Sequence, residues 1–170
     1  MTVRAACADD APAIAAIWAP IIRDTVITFY PHIRTAEEVA AMIAGRQAAG
    51  HAFLVAERAG AILGFASYSQ FRAGPGYVHS MEHTVNLAPE ARGHGTGAAL
   101  MRAIEDHAAR AGHHALIGAV TACNAGSLAF HRRLGFAEVG RIPGAGWKFG
   151  RFHDLVLVHK QPRARPSAGS

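Results

Sequence analysis

The sequence predicts an α/β fold in which helices pack on one central mixed sheet. Phe53–Glu57 and Ile62–Phe71 are strand-like and separated by a short turn, which predicts an antiparallel hairpin. Ala115–Val120 is a near-continuous apolar run, typical of a central strand covered on both faces. Between such strands, apolar residues recur at helical spacing. The resulting order, β-α-α-β-β-β-α-β-α-β-β, is that of a mixed α/β sandwich.

The N-terminal part predicts a short strand over residues 2–6 and then two helices. Pro20 lies inside the apolar stripe of the first helix and is expected to kink or interrupt it, leaving residues 24–30 as an ordered loop. Thr35 and Glu38 have the spacing of a capping box and predict the start of the second helix. The stripe consists of Ile14, Ile17, Trp18, Ile21 and Ile22.

The C-terminal part predicts three strands and two helices after an alternating strand over residues 79–87. Gly135 is expected to end the second of these helices in a left-handed conformation. Pro143–Gly150 is rich in glycine and is predicted to be a loop between the last two strands. The other elements are a helix over 97–111, a strand over 115–120, a helix over 124–134 and strands over 137–142 and 152–158.

Composition favours a globular protein with a small anionic ligand. Of the 170 residues, 51% are hydrophobic, and the net charge is +5. Lys160, Arg163 and Arg165 belong to a terminal stretch rich in Pro, Ser and Arg. We expect residues 161–170 to be disordered and residues 1–160 to form a single domain. The rest of the chain carries only about +2, which argues against a nucleic-acid binder.

The cysteines, the N-terminal segment and the histidines limit the possible compartment and chemistry. Cys7 and Cys123 are too far apart in sequence to suggest a disulfide framework or a zinc site, and they indicate a reducing compartment. The N-terminus has no apolar run, so we expect no signal peptide and no membrane span, and we predict a cytoplasmic protein. The 11 histidines do not pair with carboxylates at metal-ligand spacing on one helical face, so no metal is expected.

The most informative segment is Val85–Gly97, which predicts a strand, a sharp turn and a glycine-rich helix entrance. Gly93, Gly95 and Gly97 stand at alternate positions and leave backbone N–H groups uncovered at a helix N-terminus. Arg92 adds a full positive charge beside the partial charge of the helix end. The segment therefore predicts a binding turn for a diphosphate.

Two other nucleotide-binding patterns fit this segment poorly. A P-loop requires Gly-Lys-Ser/Thr at its end, whereas Gly97 is followed by two alanines. Gly93-x-Gly95-x-x-Ala98 satisfies a relaxed dinucleotide fingerprint. That fingerprint also needs an acidic residue about twenty positions on, and none occurs between Asp106 and Glu138.

The segment resembles the acetyl-CoA site of the GNAT N-acetyltransferase superfamily. The resemblance rests on Arg92-x-x-Gly95-x-Gly97, followed by Asn124, Ser127 and Leu134-Gly135-Phe136, and it extends from Val3 to about His159. Within the superfamily, four segments are similar to phosphinothricin and methionine sulfoximine N-acetyltransferases. They are Gly76-Tyr77, Glu82-His83-Thr84-Val85, residues 130–136 and residues 146–154.

This resemblance implies a mostly antiparallel sheet of about seven strands, with helices on both faces and a splay between strands 4 and 5. Acetyl-CoA would lie in the splay, where main-chain groups of Val85 to Leu87 bind its pantetheine arm. A homodimer is also implied. The predicted acetyl-CoA contacts are Val85, Asn86, Leu87, Arg92, Gly93, His94, Gly95, Thr96, Gly97, Asn124, Ser127 and His131.

Glu82 is the predicted acceptor of the proton that the attacking amine must lose. It is the only acidic residue on the alternating strand, and the resemblance assigns it this role. Three residues separate it from Val85, a span of roughly 10 Å that calls for a bridging water. The alternative is a solvated strand carboxylate or an ion-pair partner of Arg72.

His131 is the predicted proton donor to the departing thiolate. The resemblance places it where many members of the superfamily carry a tyrosine, and histidine titrates near neutrality. In the alternative interpretation, His131 touches the cofactor without transferring a proton. Tyr77 is then the reserve donor.

The predicted substrate is a small amino acid. Arg72 and Tyr77 are expected to bind its carboxylate, and Thr28 and Phe29 to close the opposite wall. The resemblance implies acetylation of the α-amino group of phosphinothricin, methionine sulfoximine or methionine sulfone. Two alternatives stay open: acetylation of a protein N-terminus or lysine, which needs an open groove, and a coenzyme A-binding module without chemistry.

Overall fold

A computed structural model describes residues 1–163, so most of the predicted disordered tail lies outside the described residues. The strands are β1 (Thr2–Ala5), β2 (Phe53–Arg58), β3 (Ala61–Gln70), β4 (Ser80–Leu87), β5 (Ala115–Thr121), β6 (Ala137–Lys148) and β7 (Arg151–Lys160). The helices are α1 (Ala11–Asp24), α2 (Ala36–Ala48), α3 (Thr96–Arg110) and α4 (Ala125–Arg133). Single turns of 3-10 helix occur at Ala8–Asp10, Pro75–Tyr77 and Pro89–Ala91.

The seven strands form one sheet in the order β1-β2-β3-β4-β5-β7-β6. Every neighbouring pair is antiparallel except β4 and β5, which are parallel. This parallel ladder covers only Ser80–Glu82 of β4 and residues 115–117 of β5. The predicted mostly antiparallel sheet and its splay between strands 4 and 5 are therefore confirmed.

Helices cover both faces of the sheet because alternate strand residues point to opposite sides. On one face, α1 and α2 pack through Ile14, Val39 and Ile43 onto Phe53 and Phe65. On the other face, α3 packs onto a second buried cluster, with α4 against its rim. Members of this second cluster include Tyr68, Met81, Leu100, Met101, Ile104 and Leu116.

The predicted interruption at Pro20 is wrong: α1 continues through Pro20 to Asp24. The proline removes one backbone donor, but Ile14 before it and Ile21 and Ile22 after it are buried on the same helix. Packing of this stripe outweighs the loss of one hydrogen bond. The helix ends at Thr25, whose hydroxyl donates to the Ile21 carbonyl at 2.6 Å, and the predicted loop follows.

The predicted loop over Pro143–Gly150 is also wrong, since β6 extends to Lys148. Its pairing register with β7 shifts between Ile142 and Gly146, so the three residues between them form a bulge that accommodates the proline. The reversal is confined to Phe149 and Gly150, which both have positive φ, as a two-residue hairpin turn requires.

Other local predictions are confirmed. The Thr35 hydroxyl accepts from the Glu38 amide, and the Glu38 carboxylate accepts from the Thr35 amide, which completes the capping box of α2. Gly135 has a φ of +85° after α4. Within residues 1–163, no helix has both the length and the apolar character needed to cross a membrane.

The close approach of β3 and β4 predicts a large stability effect at Gly64. A Cβ there would lie 2.5 Å from Leu87 Cδ2 and 2.7 Å from the Asn86 carbonyl oxygen, which is main chain. We expect Gly64→Ala to lower the free energy of unfolding by about 1–3 kcal/mol in urea denaturation.

Gly45→Ala is the matched control, because a Cβ on this α2 residue meets no atom within 4 Å. This variant should gain about 0.5–1 kcal/mol, as helix interiors favour alanine over glycine. Equal stabilities of the two variants would contradict the described packing of β3 against β4.

Candidate active site

A cleft follows the gap that opens between β4 and β5. It has two adjoining parts, an inner half of about 350 Å³ and an outer half of about 590 Å³. The inner half is bordered by Glu82, His83, residues 118–121, His131 and the loop after α1. The outer half is bordered by Leu87, Arg92, residues 95–98, Phe130 and Arg133, among others. Ile27, Val85, Asn86, Asn124 and Ser127 border both halves.

The predicted diphosphate turn lies in the outer half. Gly93 and Gly95 have φ values of +80° and +79°, and a Cβ on either would meet no atom within 4 Å. Their backbone is therefore open to a ligand, and α3 begins directly after them at Thr96. Glycine is needed at position 97 for a different reason, because a Cβ there would lie 3.3 Å from side-chain atoms of Leu87 and Phe130.

The structure brings together most of the predicted acetyl-CoA contacts. Arg92, Gly93, Gly95, Thr96, Gly97 and Leu87 border the outer half, and Val85 and Asn86 border both halves. His94 borders neither half. Sequence reasoning missed Arg133, a second cation on the outer half, because helix periodicity alone does not give its direction relative to the turn.

The N-terminus of α4 faces the point where the two halves meet. The Asn124 side-chain oxygen accepts from the Ser127 amide at 3.1 Å, which caps the helix as predicted. Asn124 and Ser127 thereby border both halves of the cleft. This helix end adds backbone donors to those of the diphosphate turn.

Glu82 lies half-buried in the inner half of the cleft. Burial raises its pKa, and the positive charge of Arg46 on α2 opposes that rise. Arg46 donates to the Ser67 hydroxyl on β3. In the described residues no ion pair joins Glu82 to Arg72, so the carboxylate is influenced by a different arginine.

Arg46 was missed by sequence reasoning, although a signal was present. It follows Val39 by seven residues and Ile43 by three, so it belongs to the buried face of α2. Burial lowers the pKa of Arg46, as does the neighbouring charge of Arg34. A cation on an otherwise apolar helix face indicates a specific partner.

His131 is buried, with both ring nitrogens in hydrogen bonds. Its Nδ1 lies 2.8 Å from the Ser127 carbonyl oxygen, and its Nε2 lies 2.9 Å from Nε2 of His83. Burial lowers the pKa of both rings, and it lowers that of His83 to about 3. Sequence analysis gave His83 no role beyond its place in the segment Glu82-His83-Thr84-Val85, and its partner lies 48 positions away.

Gly118 of β5 makes the position of His83 possible. A Cβ on Gly118 would lie 2.8 Å from Cε1 and 3.2 Å from Nε2 of the His83 ring. The glycine therefore lets the imidazole of β4 reach across the edge of β5 toward α4.

The loop after α1 forms the far wall of the inner half through Thr28 and Phe29. The Lys148 ammonium on β6 donates to the Thr28 carbonyl at 2.7 Å and to the Ile22 carbonyl at 2.6 Å. Phe29 stacks on His153 of β7 with ring centroids 5.8 Å apart. The β6–β7 hairpin thus fixes this wall, which the prediction of a loop over Pro143–Gly150 could not anticipate.

Arg72 and Tyr77 contact each other outside the cleft. The Arg72 guanidinium stacks 5.6 Å from the Tyr77 ring centroid, and neither residue borders the cleft. Within this chain, the structure does not bring these two predicted substrate contacts to the inner half.

Among residues 1–163, no three His, Cys, Asp or Glu side chains are grouped as a metal ion would require.

The sequence is similar to proteins of one known family. Residues 19–136 match the Acetyltransferase (GNAT) family. L-amino acid N-acyltransferase MnaT of Escherichia coli (strain K12) is 32% identical, with 99% of each chain covered. L-methionine sulfoximine/L-methionine sulfone acetyltransferase of Salmonella typhimurium is 32% identical, covering 95% of this chain and 94% of that protein. Phosphinothricin N-acetyltransferase of Alcaligenes faecalis is 35% identical over 94% and 81%, respectively.

Solved structures of acetyltransferases superpose on this chain. An acetyltransferase of Salmonella typhimurium, determined with its cofactor acetyl-CoA, superposes with a TM-score of 0.92 at 32% identity over 99% of both chains. Ribosomal-protein-alanine N-acetyltransferase of Brucella melitensis has a TM-score of 0.92 at 36% identity over 95% of this chain and 99% of that one.

The fold and cleft define an acyltransferase that uses acetyl-CoA as its co-substrate. The chain belongs to the GNAT acetyltransferase family. The open backbone at Gly93 and Gly95 and the continuous cleft fit this co-substrate.

The wall formed by Phe29 gives a testable prediction at Gly146. A Cβ on Gly146 would overlap the Phe29 ring, so Gly146→Ala must displace the wall of the inner half. We expect the KM for the acceptor amine to rise roughly tenfold, with little change in the KM for acetyl-CoA, in steady-state assays.

Gly140→Ala serves as the control, because a Cβ at this position of the same strand meets no atom within 4 Å. The described wall would be contradicted if both variants kept the wild-type KM for the amine, or if Gly146→Ala acted only on acetyl-CoA.

Proposed function

We propose that the protein transfers the acetyl group of acetyl-CoA to the α-amino group of a small amino acid of the phosphinothricin, methionine sulfoximine or methionine sulfone class. The observation that carries the proposal is the inner half of the cleft, which has Glu82 on one border and Thr28 and Phe29 on another. Its volume of about 350 Å³ is at the lower end of small-molecule sites. The names of the relatives from Escherichia coli, Salmonella typhimurium and Alcaligenes faecalis support the same substrate class.

Acetylation of a protein terminus is the second candidate, supported by the name of the Brucella melitensis structure. A polypeptide acceptor needs an open groove. Thr28 and Phe29, with Trp18 beside them, instead wall one side of the inner half, and Lys148 and His153 hold this wall in place. A fixed wall beside Glu82 favours the small amino acid.

In the proposed site, acetyl-CoA lies along the β4–β5 gap. Main-chain groups of Val85 to Leu87 bind its pantetheine amides, and an N–H of this segment polarises the thioester carbonyl. Arg92, Gly93, Gly95 and Thr96 hold the diphosphate, with the α4 end at Asn124 on the opposite side. When bound, acetyl-CoA supplies the activated acetyl group.

Glu82 is the proposed acceptor of the amine proton, through a bridging water. An amine attacks only in its neutral form, so a base near the gap is needed at neutral pH. Glu82 lies at the last β4 position still paired with β5, directly before the gap. The positive charge of Arg46 favours its ionised form despite burial.

We also propose a homodimer in the cytoplasm. The β6–β7 hairpin exposes large apolar side chains: Trp147, Phe149 and Phe152 are 57%, 59% and 70% exposed. Such a patch is typical of a protein interface. Cys7 and Cys123 are both free, which suits a reducing compartment. Sedimentation of the wild type and of Phe152→Glu tests the dimer.

A substrate panel tests the proposed function. Thiol release from acetyl-CoA is measured with phosphinothricin, methionine sulfoximine, methionine sulfone, glutamate, methionine and alanine-terminated peptides. We expect turnover of the small amino acids, and a fall in kcat of about 100-fold or more in Glu82→Gln.

Turnover of peptides alone would favour the second candidate. Acetyl-CoA binding without turnover of any amine would indicate a non-catalytic module. An unchanged pH profile in Glu82→Gln would reject Glu82 as the proton acceptor.

The influence of Arg46 on Glu82 predicts a shift in pH dependence. A general base must be deprotonated, so kcat/KM rises as pH increases through the pKa of Glu82. Arg46 lowers that pKa, while Arg34 acts on Arg46 from the preceding loop. In Arg46→Met we therefore expect the acidic limb of the kcat/KM profile to move to higher pH. Arg58→Met, at an exposed position, is the control. A shift to lower pH, or none, would contradict the coupling.

A further inference from the structure

The hydrogen bonds of His131 leave it no proton to give. Its Nδ1 faces the Ser127 carbonyl oxygen at 2.8 Å, and because a carbonyl only accepts, Nδ1 carries the hydrogen of the neutral ring. Its Nε2 is then an acceptor. The hydrogen in the 2.9 Å contact between the two Nε2 atoms therefore belongs to His83, whose Nδ1 carries none and is buried without a hydrogen-bond partner.

The environment of the two rings keeps them neutral. His131 is 3% exposed and His83 is 5% exposed. The aromatic rings of Phe130 and Phe136 lie 5.3 Å from His131, and Phe136 lies 5.2 Å from His83. Burial and the neighbouring ring lower the pKa of His83, and burial lowers that of His131, so neither imidazole holds a second proton at neutral pH.

The next group in this series is the Ser127 hydroxyl. Its Oγ lies 3.3 Å from Nδ1 of His131, so it accepts a second branch of the same N–H. The hydroxyl hydrogen must then point away from His131. Ser127 borders both halves of the cleft at their junction, which is where the diphosphate turn and the gap would together place the thioester.

We propose that the Ser127 hydroxyl is the hydrogen-bond donor to the departing thiolate of coenzyme A, and that His83 and His131 are positioning residues that orient it. The inference rests on the proposed acetyl transfer. The hydrogen bonds run in one direction, from His83 Nε2 to His131 Nε2, from His131 Nδ1 to Ser127 Oγ, and from Ser127 into the cleft.

The chemistry balances without an imidazolium. The amine nitrogen forms a bond to the acetyl carbon, the carbon–sulfur bond breaks, and its electron pair stays on sulfur. Ser127 keeps its proton and stabilises the thiolate by a charge-assisted hydrogen bond. A thiol with a pKa near 8.5 leaves readily as a thiolate and takes a proton from water after release. The amine proton passes to Glu82.

Ser127→Ala and Ser127→Thr test the donor. We expect Ser127→Ala to lower kcat by about 10- to 100-fold, the usual effect of losing one hydrogen bond to a charged group. The KM for acetyl-CoA should stay near the wild-type value, and Ser127→Thr should recover most of kcat. Ser80→Ala, at a β4 serine that borders neither half, is the control.

His131→Gln and His83→Gln test the positioning roles. Each should lower kcat by no more than Ser127→Ala does, and combining either with Ser127→Ala should add little, because the three groups act as one series. Isothermal titration with acetyl-CoA checks that each variant still binds the co-substrate.

The outcomes separate this inference from the proposed function. A wild-type kcat in Ser127→Ala overturns the inference. The inference also fails if the basic limb of the kcat–pH profile is lost in His131→Gln but not in Ser127→Ala, because His131 would then be the acid. If the wild type acetylates peptides but no amino acid, the proposed substrate class fails. The same Ser127 comparison is then made on the peptide.

Discussion

The early end of the β4–β5 ladder is the constraint on which the site depends. The two strands pair over three residues, yet β4 stays paired with β3 up to Leu87, and β5 stays paired with β7 up to Thr121. Both strands are therefore held by their outer neighbours while their facing edges separate. Main-chain donors and acceptors on those edges have no strand partner, so a ligand with amide groups can pair with them.

Strand β4 carries polar side chains to both faces of the sheet beside this gap. Successive side chains of a strand point to opposite faces, so Glu82 meets the α2 side of the sheet and His83 meets the α4 side. The proposed base and the start of the proposed hydrogen-bond series thereby lie next to each other in sequence but on opposite faces of the sheet. Gly118 on β5 and Gly146 on β6 leave room for His83 and Phe29, so these two glycines set the positions of both side chains.

Sequence reasoning found what local patterns encode. The capping box at Thr35, the hairpin over β2 and β3 and the glycine-rich turn at the start of α3 all depend on residues close in sequence. It failed where distant packing decides. Burial on both sides of Pro20 keeps α1 whole, and pairing with β7 makes a strand of the segment after Pro143. The His83–His131 pair joins residues 48 positions apart, which a single sequence does not reveal. The spacing of Arg46 from Val39 and Ile43 placed it on the buried face of α2, but it did not identify the contact with Ser67.

Hydrogen–deuterium exchange with and without acetyl-CoA tests the central claim most directly, because exchange reports the opening of individual backbone amides. If the co-substrate pairs with the free edge of β4, the amides of Val85 and Leu87 and of the Gly93–Gly97 turn gain protection on binding, while that of Asn86, which is already paired with Phe65 of β3, and those of β1 at the far edge of the sheet stay unchanged. Binding with protection only at the diphosphate turn, and none along Val85 to Leu87, would contradict the claim that the gap holds the thioester arm.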